Sequence, residues 1–525
     1  MNSIKTSHDK STTAGSPEGS YRDESDLPVV LWILPLLAAV LIPGSGWTMA
    51  ERPMALRVEL VLGMTLGVGI VALILAAALS RRFTYRIRWS LGVTTVTIVT
   101  LFQWPTLTSA GDTLAGLLPI PLLADVVPVA MAGIFLWLAT RLAGDGLFAG
   151  LIGLGAFVLV GVIFSAMLPY AFQDSAPSPA APAPPQPDVV LLILDGYTRA
   201  DILQEQFSFD NTPFHTDLAR LGFENADQAR ANYSFTYASI AAMLDLRYVY
   251  ELGEIEPSDH EAMRNALSGD AAMLGLFRAA GYEVAYVENA WPGSHCGTAV
   301  DICIRDGLVE RVLWNLGQLT ILAPALAEAR PHPFHSLSIE HLKSLPSYVA
   351  DRRTEGTARL TVAHIILPHP PFLLDAECNA QSSAIRRAFV APNTERIDDR
   401  RRLYTDQLTC TNTMVIEALK QVIEARDDTI VMLVGDHGSD ATRIAGAEPD
   451  DWPIEGLQER MSILSAYRMP TCDGRPYSSI TPVNGARMVT TCALGTSLEK
   501  LPDNSYWIPS NRQGSVTDVA VRLDN

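Results

Sequence analysis

Two carboxylates, a histidine and a hydroxyl stand where apolar runs stop. The six aliphatics Val189–Leu194 deliver Asp195, followed by Gly196. Much later, "TIVMLVGDHG" delivers Asp436 and His437, with Gly435 before them and Gly438 after. Between these lies "TYASIAAML", which opens on Thr236. Carboxylate oxygens with an imidazole nitrogen suit a divalent cation, Mn²⁺ or Zn²⁺ first and Mg²⁺ as a further candidate. The flanking glycines let the backbone turn sharply and approach closely. A hydroxyl at a helix start meets unpaired backbone N–H groups and the positive end of the helix dipole. Beside a metal, its pKa falls and it becomes a nucleophile. The bland alternatives are an Asp that caps a turn, a packed His, and a Thr236 that is only an N-cap.

These residues need a scaffold that brings chain-distant strand ends together. A continuous aliphatic run reads as a strand buried on both faces, which is the habit of parallel sheets. Strands and helices then alternate. "TPFHTDLARLGF" reads as a helix with a strand beyond it. "EAMRNALSGDAAMLGLFRAAG" reads as a helix leading into the strand "YEVAYVE". "LTVAHIIL" is a further strand, and "RRLYTDQLTCTNTMVIEALKQVIEA" is a helix leading into "TIVMLV". This predicts an α/β layered fold, with the site beyond the carboxyl ends of the strands.

The rest of the chain predicts where that domain sits. Of 525 residues, 48% are hydrophobic, and mean hydropathy is +0.17. The excess lies before about residue 172. Five apolar stretches, at 28–48, 56–80, 89–108, 120–143 and 147–172, are each near the ~20 residues a membrane-crossing helix needs. "RRFTYRIR" between the second and third marks a cytoplasmic loop. The expectation is an all-α membrane domain of five transmembrane helices in the cytoplasmic (inner) membrane. Residues 1–27 form an inside tail, 173–187 a proline-rich linker, and 188–525 an extracytoplasmic domain. The linker's "SAPSPAAPAPPQP" favours an extended polyproline conformation. Residues 1–172 hold ten basic and ten acidic residues, so the net charge of −18 belongs to the exported part. That excludes a nucleic-acid partner and leaves anionic substrates to be captured by local charge, such as a metal. Cys296, Cys303, Cys378, Cys410, Cys472 and Cys492 all follow the linker, as expected of disulfides in an exported domain. The expected pairs are Cys296–Cys303, Cys378–Cys410 and Cys472–Cys492; a zinc site is the alternative, though no CxxC spacing occurs.

The order acid, hydroxyl, Asp-His resembles the alkaline phosphatase superfamily, in its sulfatase-like hydrolase/transferase branch. "LDGYTR" resembles the first metal-ligand motif, "TYASIAAML" the nucleophile helix, and "GDHG" the second ligand motif. "LPHPPF" resembles the segment whose His contacts substrate, and "RMSILSAY" and "YSSITPVNGARM" the C-terminal part of membrane-anchored members. The resemblance covers roughly 188–508. With the five stretches before it, the architecture resembles lipoteichoic-acid synthases and phosphoethanolamine transferases.

The resemblance implies an alkaline-phosphatase-like sheet flanked by helices on both faces. It makes Asp195, Asp436 and His437 metal ligands, and Thr236 both nucleophile and fourth ligand. His369 would stabilise the leaving group or the transferred phosphoryl oxygens, and Asn232 and Asn412 would touch substrate. His364, on a strand, reads instead as a packed core residue. The Cys/Ser-x-Pro-x-Arg motif that makes formylglycine is absent, which argues against a true sulfatase. A second metal would need ligands such as His215, Asp217, His332, His335 or Asp440, none of which stands in a motif, so one metal is expected. The implied activity is phosphoryl-group transfer from a phospholipid to an envelope glycan through a covalent phospho-threonine. The alternatives are a phosphodiesterase, phosphatase or sulfuric ester hydrolase of the same fold, and a non-catalytic envelope organiser.

Overall fold

Strand β1 (Val189–Leu194) is fully buried along its length, as its unbroken aliphatic run predicts. The computed structural model describes residues 186–523 except 268, 290–295, 298, 305–332, 352–355, 382–396, 440, 442–451 and 509–514, together with 129–131 and 134. The five expected membrane spans therefore lie outside the described residues, apart from a helical fragment at 129–131 and 134. Among the described residues, no helix is long and apolar enough to cross a membrane.

The further strands are β2 (Glu224–Asn225), β3 (Gly253–Glu254), β4 (Glu283–Val287), β5 (Ile302–Ile304), β6 (Arg359–Ile365), β7 (Ile430–Gly435), β8 (Ser465–Arg468), β9 (Tyr506–Trp507) and β10 (Ser515–Asp518). Seven form one sheet in the order β2-β8-β7-β1-β6-β4-β5. From β5 to β7 all neighbours are parallel. The β8 and β2 edge is antiparallel, which the aliphatic runs gave no reason to expect. β3, β10 and β9 make a small antiparallel sheet of their own.

Alternation along β1 feeds two cores. Val189, Leu191 and Ile193 pack with the helix Thr236–Asp245 and with Ala486 and Val489 of the helix Pro482–Leu494. Val190, Leu192 and Leu194 pack with the long helix Ile397–Ala425 and with Phe214 and Leu218 of the helix Thr212–Arg220. Helices thus cover both faces. Burying each such aliphatic side chain stabilises the fold by roughly 1.5–3 kcal/mol relative to leaving it in water. At the amino ends of the strands, Asp188 Oδ1 accepts the Arg359 amide at 2.8 Å and meets Arg426 Nη1 at 3.2 Å. The opposite, carboxyl ends carry the chemistry.

One expected helix is two. The run 261–281 divides between Pro257–Leu267 and Ala272–Ala279. Gly269 lies between them with φ of +79°, a left-handed turn no helix interior contains.

Candidate active site

The sheet register assembles the site. Leu194 pairs with Ile365 on one side and Gly435 on the other, so Asp195 and Asp436 leave adjacent strands at one level. Asp195, Asp436 and His437 are wholly buried. Each offers a ligand atom, and these atoms all lie within 4.8 Å of one another. His437 Nε2 is 3.3 Å from Asp436 Oδ2 and 3.7 Å from Asp195 Oδ1. Thr236, the first residue of its helix and buried, reaches the same nitrogen: Oγ1 to Nε2 is 2.8 Å. The N-cap position belongs to Phe235, and the helix start has no side-chain cap. Thr236 therefore faces the cluster, and the capping alternative does not hold.

Backbone contacts decide how each group presents itself. Asp436 Oδ1 accepts the amides of Gly196 (3.0 Å) and His437 (2.8 Å), which leaves Oδ2 turned to the cluster. Asp436 Oδ2 and both Asp195 oxygens complete no well-formed hydrogen bond. His437 Nδ1 lies 2.8 Å from the Gly438 carbonyl, which can only accept. The proton is therefore on Nδ1, and Nε2 presents a lone pair.

Electrostatics say the same. Burial pushes the Asp436 carboxyl up, and the Asp195 charge adds to it, reaching about 7. Burial also raises Asp195, but His369, His364 and His437 outweigh it and hold this carboxyl well below the usual range. Burial, helped by the Arg460 guanidinium, pushes His437 down to about 3, so its imidazole is neutral. Two buried carboxylates this close repel, and their unbonded oxygens are expensive unless a cation answers them. Two carboxylates, a neutral imidazole and a hydroxyl fit one divalent ion held by Asp195, Asp436, His437 and Thr236.

The glycines are steric requirements. A Cβ on Gly438 would stand 1.9 Å from the Glu459 carbonyl oxygen, and one on Gly435 would stand 2.8 Å from that of Tyr197. Gly196 has φ of +74°, the left-handed turn that follows Asp195. Tyr404 of the long helix fixes that turn, donating to Gly196 O (2.8 Å) and accepting from Thr198 N (3.0 Å). Thr198 Oγ1 in turn accepts the Ser439 amide at 2.7 Å and so joins the Asp195 loop to the Asp436-His437 loop. Arg460 Nε and Nη2 donate to Ser234 O at 2.9 and 2.8 Å, and its Nη1 to Gly438 O at 3.3 Å. One guanidinium thereby links the Thr236 segment to the Asp-His loop. Tyr404 and Arg460 carry no sequence signal, because their roles depend on backbone carbonyls they are distant from in the chain.

His369 lines a small cleft with Gly196, Phe372, Tyr404, Gly438 and Arg460. It stands between the cis peptides Leu367–Pro368 and Pro370–Pro371, with Nδ1 2.5 Å from the Pro370 carbonyl.

One expectation, on His364, is corrected, and Asn232 and Asn412 are given partners within the fold. His364 is buried but not mere packing: Nε2 faces Asp195 Oδ2 at 3.3 Å. Asn232 donates to Tyr248 Oη and Asn504 O and accepts from the Val483 amide, so its polar atoms tie loops together. Asn412 accepts from Tyr197 Oη and donates to Asn211 Oδ1, closing a buried ring of three side chains. Of the alternative ligands, Asp217 pairs with Arg220 on an exposed helix face, and His215 neighbours Phe214 on that helix. The placement of His332 and Asp440 and the side chain of His335 lie outside the described residues.

The six cysteines form Cys296–Cys303, Cys378–Cys410 and Cys472–Cys492. Glu288, Cys296 and Cys303 also cluster, but thiols joined in a disulfide offer no thiolate to a metal.

The sulfatase family model matches residues 187–471, more than half of the chain. No curated protein matches it in sequence. Among solved structures, the chain is similar to the C-terminal periplasmic domain of EcEptC from Escherichia coli in complex with Zn (10% identity, 66% of this chain and 94% of that one, TM-score 0.43). It is similar also to the integral membrane lipooligosaccharide phosphoethanolamine transferase A of Neisseria meningitidis (13%, 89% and 95%, 0.39). A third is a protein from the metabolism of multiple glycosaminoglycans by Bacteroides thetaiotaomicron (16%, 63% and 83%, 0.40). From a matched region that runs from two residues before β1 to just beyond β8, the chain belongs to the sulfatase family, in the alkaline phosphatase superfamily, whose enzymes act on phosphate or sulfate esters.

Proposed function

We propose that the chain is a membrane-anchored, metal-dependent transferase that moves a phosphoryl-linked group from a phospholipid to an envelope glycan through a covalent phospho-Thr236. The observation that carries this reading is the 2.8 Å contact of Thr236 Oγ1 with His437 Nε2, beside three buried carboxylate oxygens, both of Asp195 and Oδ2 of Asp436, that complete no hydrogen bond. A divalent ion held by Asp195, Asp436, His437 and Thr236 would lower the pKa of the hydroxyl and offset charge on the phosphoryl oxygens.

The chain's own residues do the rest. The helix start and the Arg460 bridge hold Thr236 against His437. Its oxygen attacks phosphorus, the bond to the lipid alcohol breaks, and diacylglycerol leaves. His369, at the cleft, stabilises the leaving oxygen. In the second step a sugar hydroxyl attacks phospho-Thr236 and the threonine hydroxyl is restored. Thr236 is followed by Tyr237, Ala238, Ser239 and Ile240, so the residues that direct formylglycine formation are missing, which favours phosphate over sulfate esters. Five apolar stretches and a proline-rich linker ahead of the domain support a membrane anchor, with residues 188–525 outside and the N-terminus inside.

The test is a mass-spectrometric search for the intermediate. The purified full chain is incubated with Zn²⁺ or Mn²⁺ and phospholipid vesicles, a p-nitrophenyl phosphodiester or a sulfate ester. A metal-dependent phospho-adduct on Thr236, absent from Thr236→Ala, is the expected result. Turnover of the sulfate ester alone, or turnover with no adduct, would overturn the proposal.

A further inference from the structure

We propose that His364 acts as a hydrogen-bond donor that orients Asp195, held in that tautomer by Asn289, and is not itself a ligand of the ion. The inference rests on the metal-site reading above and adds a positioning pair to it.

Both residues are buried and neither lies in a ligand motif. His364 sits on β6, beside Ile193 of β1. β4 flanks β6 on its other side, with Val287 opposite Ala363. Asn289 follows β4 by two residues, which brings its amide to the His364 ring. Asn289 Nδ2 contacts His364 Nδ1 and lies 3.5 Å from the His364 carbonyl oxygen. A carbonyl can only accept, so the amide nitrogen, not the amide oxygen, belongs on this side. That amide then donates to Nδ1, which must carry the lone pair. The imidazole proton is left on Nε2, which faces Asp195 Oδ2 at 3.3 Å, near enough to orient the carboxylate though not closed as a hydrogen bond.

His437 has the opposite tautomer. Its Nδ1–H is taken by the Gly438 carbonyl and its Nε2 lone pair faces the cluster. One site thus holds two buried histidines made different by their partners: a donor and an acceptor. With Oδ2 facing His364, Asp195 turns Oδ1 to His437, 3.7 Å away. Such outer contacts to a ligating carboxylate commonly account for about 10–100-fold in metal affinity.

The test uses the full chain labelled with ¹⁵N-histidine, with His364→Gln to assign the signal. The imidazole nitrogen shifts should show Nε2 protonated and Nδ1 not. Zn²⁺ should move the His437 signals and leave His364 Nε2 protonated. In chelator competition, His364→Ala should bind Zn²⁺ about 10–100-fold more weakly, while His364→Gln, which keeps an N–H donor, recovers most of the loss. Asn289→Ala should mix the His364 tautomers. A proton on Nδ1, loss of the Nε2 proton on adding Zn²⁺, or a His364→Ala affinity within about twofold of the parent chain would overturn the proposal. If His364→Ala fails to fold, the shifts and the Gln variant still decide it. A parent chain that binds no Zn²⁺ would sink the metal reading, while the shifts of the metal-free protein would still report the tautomer.

Discussion

Thr236 Oγ1 lies 2.8 Å from His437 Nε2 although the residues are 201 positions apart. With Nδ1 holding its proton against the Gly438 carbonyl, the hydroxyl is the donor in this contact. The threonine is thus held by the loop that supplies two of the expected ligands. Thr236→Ser, which keeps the hydroxyl, should still form a covalent adduct. Thr236→Ala should form none and lose turnover by roughly 10³-fold or more. Equal turnover by the alanine variant would rule Thr236 out as nucleophile.

Metal affinity should depend on pH through Asp436. Its carboxyl is raised to about 7 in the fold, and an ion must displace that proton. Zn²⁺ affinity should therefore fall about tenfold for each pH unit below about 7 and level off above it. Chelator competition at pH 6 and pH 8 measures this; equal affinities would contradict it. Stability of the metal-free protein behaves differently. Between the ordinary carboxyl range and about 7, Asp436 binds more protons folded than unfolded, so its contribution grows as pH falls. His437, lowered to about 3, binds fewer protons folded than unfolded up to the ordinary imidazole range. Its contribution grows as pH rises. The two oppose each other over the shared window, and melting curves there should change little on their account.

Gly438→Ala should be the most damaging single methyl in the site. The new Cβ would stand 1.9 Å from the Glu459 carbonyl oxygen and 2.9 Å from that of Ser462. Backbone cannot yield as a side-chain tip does, so a loss of about 2 kcal/mol or more is expected, with weaker metal binding. Gly435→Ala, at 2.8 Å from the Tyr197 carbonyl oxygen, should lose less. Gly474→Ala meets nothing within 4 Å and should be neutral. Thermal melts of the three variants give the ranking, and a tolerated Gly438→Ala would contradict the packing described.

Arg460 should matter to rate more than to folding. Its fork joins Ser234, two residues before Thr236, to Gly438, one after His437. Arg460→Ala should lower kcat on a p-nitrophenyl phosphodiester by on the order of 10²-fold through misplacement of Thr236. Arg460→Lys should recover little, since one ammonium cannot span both carbonyls. Lysine rescue to the parent rate would show that only the charge counts.

The residues themselves announced the ends of β1 and β7. A short aliphatic run that stops at Asp195, or at Gly435-Asp436-His437, between turn residues reads as a strand buried on both faces with a polar end. The motif order, and the threonine that opens a helix of small residues, were legible for the same reason: they are local. Local patterns missed whatever depends on neighbours in space. His364 looked like core because strand periodicity gives burial but not what a ring faces. The partners of Asn232 and Asn412 were equally hidden, because a sequence does not show which carbonyls and hydroxyls will meet them. The turn at Gly269 between the helices Pro257–Leu267 and Ala272–Ala279 was hidden inside a helical pattern. The convergence of Asp195, Thr236, Asp436 and His437 was set by sheet order, with β1 between β6 and β7 and their ends in register. Strand pairing is a long-range choice made by the packed cores on both faces, and only once it is made do the charges that repel one another, and so call for a cation, come face to face.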